Sequence, residues 1–217
     1  MPPQQLPLDL AYRPALGTAD FVVAPGNRDA VAWIDRWPDW PAHGLALHGP
    51  KGCGKTHLAH VWQARSGAVA LTAPPAEGTQ PQLRVVLDEP RGWPEAALLH
   101  LYNELREAGG HLLIVSETPP ARWETALPDL ASRLASIPAV ALAAPDDELL
   151  ISVMAKQFAD RGLEVNDDVL RYVASRIERS FAAAAEMVER LDRAALAEQR
   201  RVTLALARTC IGGGATP

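Results

Sequence analysis

The sequence predicts an α/β fold, a five-stranded parallel sheet covered by helices on both faces, followed by a small C-terminal helical lid. Three observations predict it. Between residues 44 and 142 short apolar runs alternate with segments of helical period, as in a sheet whose strands are buried on both faces. The first of these runs passes straight into a glycine-rich turn and then a helix. After Pro145 the apolar runs stop and only helical periodicity remains.

Each element has a local reason. Residues 1–20 are Pro-rich and without helical period, and read as an extended arm. Asn27 is placed to cap a helix over 28–37 that carries Val31, Ile34 and Trp37 on one side. Leu45-Ala46-Leu47-His48 is the first core strand, at 44–48, and the helix after the turn runs to about 66 with Leu58, Val61 and Trp62 inward. Val69-Ala70-Leu71 is the second strand. A Pro/Gly/Gln stretch at 73–82 leads to the third, Leu83 to Asp88. Pro94 suits the first turn of a helix that Gly109-Gly110 stops. Leu112 to Val115 is the fourth strand, Leu127 to Ala135 a short helix, and Ala139 to Leu142 the fifth strand. Beyond it Asp146, Asn166 and Thr203 are placed to cap three of four helices. The expected domains are 1–20, 21–144 and 145–217.

Composition narrows the classes. A chain of 217 residues, 48% hydrophobic and 22% charged, can bury a core of its own. No apolar run reaches the roughly 18 residues of a membrane span, and no basic-then-apolar leader opens the chain. A net charge of −5 argues against a protein that coats nucleic acid. The two cysteines, Cys53 and Cys210, are too far apart in sequence to suggest a disulfide framework or a metal site, so a reducing cytoplasm is expected.

The glycine-rich turn carries the chemistry. Gly49-Pro50-Lys51-Gly52-Cys53-Gly54-Lys55-Thr56 matches G-x-x-x-x-G-K-[ST] in full, with His57 next. Glycines let backbone N–H groups converge on phosphate oxygens, Lys55 supplies a point charge, and the helix start adds its positive dipole end. Thr56 offers a hydroxyl to Mg²⁺. The expected cofactor is ADP or ATP with Mg²⁺. Asp88 and Glu89 close an apolar strand 32 residues after Thr56; Asp88 suits the metal and Glu89 an attacking water. Ser116-Glu117, at the end of the fourth strand, stands where a γ-phosphate sensor would. A solvated pair at a strand end is the plain alternative for each.

Helices and strands in this order, with a helical lid, have the architecture of AAA+ ATPases, and the motifs resemble the DnaA-related branch, specifically the Hda group. Phe21-Val22-Val23-Ala24-Pro25-Gly26-Asn27 is similar to a segment that lines the adenine and ribose pocket, so the resemblance implies nucleotide contacts from Phe21, Val22 and Asn27. Pro128-Asp129-Leu130-Ala131-Ser132-Arg133-Leu134 resembles the stretch carrying the arginine finger, which falls on Arg133. The alternative is a surface arginine paired with Asp129. Leu191-Asp192-Arg193-Ala194 resembles the Hda lid. Gln5-Leu6-Pro7-Leu8-Asp9-Leu10 resembles the peptide that docks on the sliding clamp, the β subunit of DNA polymerase III. A staple of the arm onto the domain is its alternative. The chain also stops after the lid, where DnaA would continue into a helix-turn-helix domain.

Two departures stand out. Ala182 occupies the lid position where the family has an arginine for the nucleotide, with Arg176 and Arg179 nearby. The path from the second strand to the third is too short for an ordinary crossover helix. The resemblance implies a clamp-tethered adaptor that stimulates ATP hydrolysis by DnaA, with little or no turnover of its own. It would reach DNA only through the clamp, have no membrane partner, and be able to form a homodimer. A self-contained ATPase or helicase loader, and a module in which nucleotide only stabilises the fold, remain open.

Overall fold

In the computed structural model, residues 12–13, 21–76 and 82–212 are described. The Gln5 to Leu10 segment lies outside them. Two short strands, β1 (Tyr12–Arg13) and β2 (Phe21–Val22), pair antiparallel. The main sheet contains β3 (Gly44–His48), β4 (Val69–Leu71), β5 (Arg84–Asp88), β6 (His111–Ser116) and β7 (Ala139–Ala141). All pairings are parallel and the order is β4-β5-β6-β3-β7.

Strand alternation divides the apolar runs between two cores. Leu45, Leu47, Val86, Leu113 and Val115 pack on one face with α1 (Arg28–Asp35) and α2 (Lys55–Ser66), through Ala30, Ile34, Leu58 and Trp62. Ala46, Val85, Leu87, Leu112 and Ile114 pack on the other with α3 (Glu95–Glu107) and α4 (Pro128–Ser136), through Leu98, Leu101, Leu105, Leu130 and Leu134. A third core belongs to the C-terminal helices alone: α5 (Asp147–Asp160), α6 (Asp167–Ala174), α7 (Phe181–Ala197) and α8 (Leu204–Gly212) close over Met154, Phe158, Val188 and Leu191.

Two of the expected helix caps form. Asp146 Oδ1 accepts from Leu149 N at 2.8 Å, and Thr203 Oγ1 from Leu206 N at 3.3 Å. Four expectations are corrected. Asn27 precedes α1 without a side-chain cap, because its amide is used upstream: Oδ1 accepts from Ala24 N at 2.8 Å and Nδ2 donates to Val22 O at 3.0 Å. Asn166 likewise makes no side-chain cap at the start of α6. Pro94 sits just outside α3 with an extended ψ of 128°, and α1 ends at Asp35, two residues early. Between β4 and β5 the described residues hold no helix, as the short path implied.

Register places the functional end. His48 pairs with Ser116 and Asp88 with Val115, so β3, β5 and β6 finish at one level. Ligands of open α/β sheets bind at such carboxyl ends. Among the described residues no helix is long and apolar enough to cross a membrane.

Candidate functional site

The chain leaves β3 at His48 and turns through Gly49 to Gly54 into α2. Gly49, Gly52 and Gly54 have φ of 152°, 73° and 97°, values that L side chains rarely adopt. The loop is also closely enclosed. A Cβ on Gly49 would stand 2.2 Å from Leu142 O, the backbone just after β7. Lys55 is buried, and its Nζ donates to Gly49 O at 2.8 Å and Pro50 O at 2.9 Å. Cys53 is buried too, and burial raises its thiol pKa against the opposing Lys55 charge.

The acids arrive from β5. Thr56 Oγ1 donates to Asp88 Oδ2 at 3.1 Å, which joins two residues 32 apart in sequence. Glu89 follows in a left-handed conformation, φ 49° and ψ 54°, with its N–H bonded to Val115 O at 2.9 Å. Burial, then the Glu117 charge, and further Asp88, raise its carboxyl pKa against the pull of Lys55. Glu117 reaches Lys51 Nζ at 3.5 Å. These groups gather three carboxylates and two ammonium groups around one loop. The imidazoles of His48 and His57 flank them, both lowered in pKa. Burial is the first cause for each, followed by Arg122 and Lys55 for His48 and by His60 for His57.

Ser116 is fully buried, and its hydroxyl donates to Thr118 O at 2.8 Å. Alternation puts its side chain on the α3–α4 side with Leu112 and Ile114. Its carbonyl is what meets the loop, accepting from Gly49 N at 3.3 Å. Of that pair, Glu117 faces the site. Val22 ends β2 and Asn27 lies in the turn that follows, where Ala143 N donates to Gly26 O at 3.1 Å and ties that turn to the chain after β7. Phe21 is described only as backbone of β2.

Arg133 stands apart from the loop, on α4. The start of α4 is held by Glu95 of α3, whose carboxylate accepts from Ala126 N and Leu127 N, each at 2.9 Å. Arg133 is half-buried and makes no ion pair among the described residues, with Asp129 or any other acid. Sequence reasoning missed Glu95, because nothing local marks a carboxylate that serves a turn 31 residues away. It also missed the lid's direct seat on the loop, where Phe181 N donates to Gly52 O at 3.0 Å.

The donor set suits a magnesium nucleotide. Crowding on the outer side of the glycines leaves a cradle only a residue without Cβ can form. The open N-terminus of α2 and the Lys55 ammonium favour an anion there. A hydroxyl beside a carboxylate is the hard-oxygen pair Mg²⁺ prefers, with nucleotide oxygens completing its shell. No group of three or more His, Cys, Asp or Glu among the described residues could hold a metal alone.

A glycine cradle after the interior strand β3, an acid at the end of β5, the sheet order and a separate helical core together define a P-loop protein of the AAA+ type. Known proteins agree. Residues 146–211 match the family model of the Hda lid domain. Domain III of the Thermotoga maritima replication initiation protein DnaA superposes with a TM-score of 0.74 at 21% identity, over 91% of this chain and 95% of that one. AMPPCP-bound DnaA from Aquifex aeolicus gives 0.64 at 14%, over 79% of this chain and 63% of that one. The Thermotoga maritima RuvB Holliday junction branch migration motor gives 0.61 at 16%, over 78% and 61%. The C-terminal helices thus match an Hda-type lid, and the chain as a whole shares the fold of DnaA domain III.

Proposed function

We propose that this chain is a clamp-tethered, nucleotide-holding adaptor that restrains the initiation of chromosomal replication by driving ATP hydrolysis on DnaA. The observation that carries the reading is an Hda lid on a DnaA-like AAA+ fold. In this reading residues 5–10 fill a groove on the polymerase III sliding clamp, and the clamp supplies the only link to DNA. The protein works in the bacterial cytoplasm, at the replisome.

Arg133 acts in trans. Its guanidinium has no acidic partner among the described residues, and Glu95 fixes the start of the helix that presents it. A planar cation suits charge spread over the oxygens of a transferring phosphoryl group, and a finger of this kind is worth roughly 10³–10⁵ in rate. A homodimer that seated Arg133 on a second copy would hide it from DnaA.

The chain's own loop holds its nucleotide in place. Thr56 and Asp88 would take Mg²⁺, Lys55 and the α2 N-terminus the phosphates, and Val22, Asn27 and Phe21 the base and ribose. The bound metal would neutralise phosphate charge. Glu89 would orient an attacking water beside Asp88. AMPPCP in the Aquifex relative supports a nucleotide here, without choosing between ADP and ATP.

The test is a reconstituted assay with DnaA, clamp-loaded DNA and this protein. Arg133→Ala should abolish stimulated hydrolysis while retaining clamp and nucleotide binding. Normal stimulation would remove Arg133 from the role. Deleting residues 1–10 should abolish clamp capture, and undiminished capture would refute the arm assignment.

A further inference from the structure

The lid and the phosphate loop meet at a contact built from main chain. Phe181, the first residue of α7, donates its N–H to Gly52 O at 3.0 Å. The fit is tight on both sides of that bond. A Cβ on Gly52 would lie 2.3 Å from Ser180 Cβ, and one on Gly54 3.0 Å from the Phe181 ring. Ser180 is buried, and its hydroxyl caps α7 by accepting from Ala183 N at 3.1 Å.

The lid's nearby cations are committed elsewhere. Arg179 pairs with Asp147 at 3.1 Å. Arg176 lies 3.8 Å over the Tyr172 ring and donates to Ser175 Oγ at 2.8 Å. Ala182 has nothing to offer a phosphate. The residues that touch the loop are therefore uncharged: one peptide N–H, one hydroxymethyl and one aromatic ring.

We propose that the lid retains the nucleotide by latching the loop rather than by touching the phosphates, with Phe181 as the positioning residue. The physical basis is peptide planarity. A trans peptide points its carbonyl and the following N–H in opposite directions. Holding Gly52 O toward α7 thus turns Cys53 N–H away from the lid and stops this glycine-flanked peptide from flipping. The first N–H groups of a helix have no partner within it, so α7 can give one to the loop at no cost to itself. A latch of this kind cannot sense the γ-phosphate. It slows the release of a diphosphate and a triphosphate by the same factor, whereas a lid arginine would favour the triphosphate. The proposal rests on reading the loop as a nucleotide site.

Two substitutions at one position separate the ring from the N–H. Phe181→Ala removes the ring and keeps the donor. Phe181→Pro removes both and remains compatible with α7, because proline is favoured at the first helical position and Ser180 is already extended, at φ −141° and ψ 149°. Release of fluorescently labelled ADP and of a labelled non-hydrolysable ATP analogue would be followed by stopped-flow chase. Amide exchange over residues 49–54 would be measured without nucleotide, and circular dichroism would report folding.

Phe181→Ala should speed release a few-fold, and Phe181→Pro by about a further tenfold, a hydrogen bond's worth. Both nucleotides should change by equal factors, and loop amides should exchange faster in the proline variant. Phe181→Leu should restore most of the retention. A folded proline variant that releases nucleotide no faster than Phe181→Ala would overturn the latch. So would an effect confined to the triphosphate. Wild-type protein that bound neither nucleotide would overturn the site reading itself and the latch with it.

Discussion

The two ends of the sheet are finished in opposite ways. At the carboxyl ends of β3, β5 and β6 the chain gathers Lys51, Asp88, Glu89 and Glu117, exposed and charged, beside glycines held at positive φ. At the other end Trp37, Trp40, Trp62, His43 and His111 pack against one another. Trp40 and Trp62 centroids lie 5.0 Å apart, and Trp37 meets the edge of Trp62 at 6.2 Å. Trp40 Nε1 donates to Trp33 O at 2.7 Å, and Tyr102 Oη to Ala42 O at 3.2 Å, which pins the turn before β3. A site that must hold charge and admit a ligand gives little packing energy. The same strands recover it from large aromatic rings at their far ends, where no ligand has to enter.

That division can be broken from either side. The largest effect should come from Trp62→Ala, since Trp62 is fully buried between two other tryptophans. Emptying such a site costs about 3–5 kcal/mol. Urea unfolding should show that loss, while the protein that remains folded should bind nucleotide with near-normal affinity. Lys55→Ala should do the reverse. Labelled ADP should bind about a hundredfold more weakly, the scale of two decades at about 1.4 kcal/mol each. Unfolding of the nucleotide-free variant should stay within about 1 kcal/mol of wild type, because the loop carbonyls that Lys55 serves can be met by water. If Trp62→Ala abolished binding in folded protein, or Lys55→Ala unfolded the chain, the two ends would not be separable.

A smaller effect should come from Glu95→Ala. Its carboxylate collects the Ala126 and Leu127 N–H groups ahead of α4, in a partly exposed place. The loss should be about 1 kcal/mol, with faster amide exchange confined to residues near 126–127. Glu95→Gln should recover part of it. Equal exchange in all three proteins would show that α4, and Arg133 on it, is fixed by Leu130 and Leu134 alone.

The functional end was easier to read in the sequence than the aromatic end. Gly49 to Thr56 is a local motif, since each residue's role follows from its neighbours. The strands were legible because both faces are buried, so Leu112 to Val115 appears as an unbroken apolar run. Longer-range features left no such trace. Trp37, Trp62 and His111 come from the turn after α1, from α2 and from β6, and no spacing predicts that they meet. Asn27 has the right residue type for a cap, but tertiary placement let its amide bind Val22 and Ala24 instead. Ser116 sits where a sensor would, and only its strand parity turns its hydroxyl toward Thr118. The Phe181 contact is the extreme case. It depends on a main-chain N–H, which carries no information about residue type.

The smallest effect is a pH dependence that differs between the ends. Burial chiefly, then the His43 and Arg84 charges, hold the His111 imidazole below its ordinary value near 6.5, against the bond from Nε2 to Pro38 O at 2.9 Å. The unfolded chain therefore takes up this proton at a higher pH than the folded protein. The stability His111 contributes is present above pH 6.5 and is lost as pH falls through its lower folded pKa. Glu89 works in the opposite sense. Its carboxyl is held above 4.5, so the folded protein binds that proton first, and stability rises as pH falls through the folded pKa toward 4.5. His48 and His57 share the sign of His111, so the wild-type profile alone cannot assign the slope. His111→Gln can, because its amide can still donate to Pro38 O but does not titrate. Urea midpoints taken from pH 7.5 down to 5.5 should fall less steeply in this variant than in wild type. Glu89→Gln removes the opposing contribution, so its midpoints should fall more steeply than those of wild type as pH drops toward 4.5. Parallel wild-type and His111→Gln profiles would mean that the aromatic end does not feel protonation, and that the histidines beside the loop set the slope.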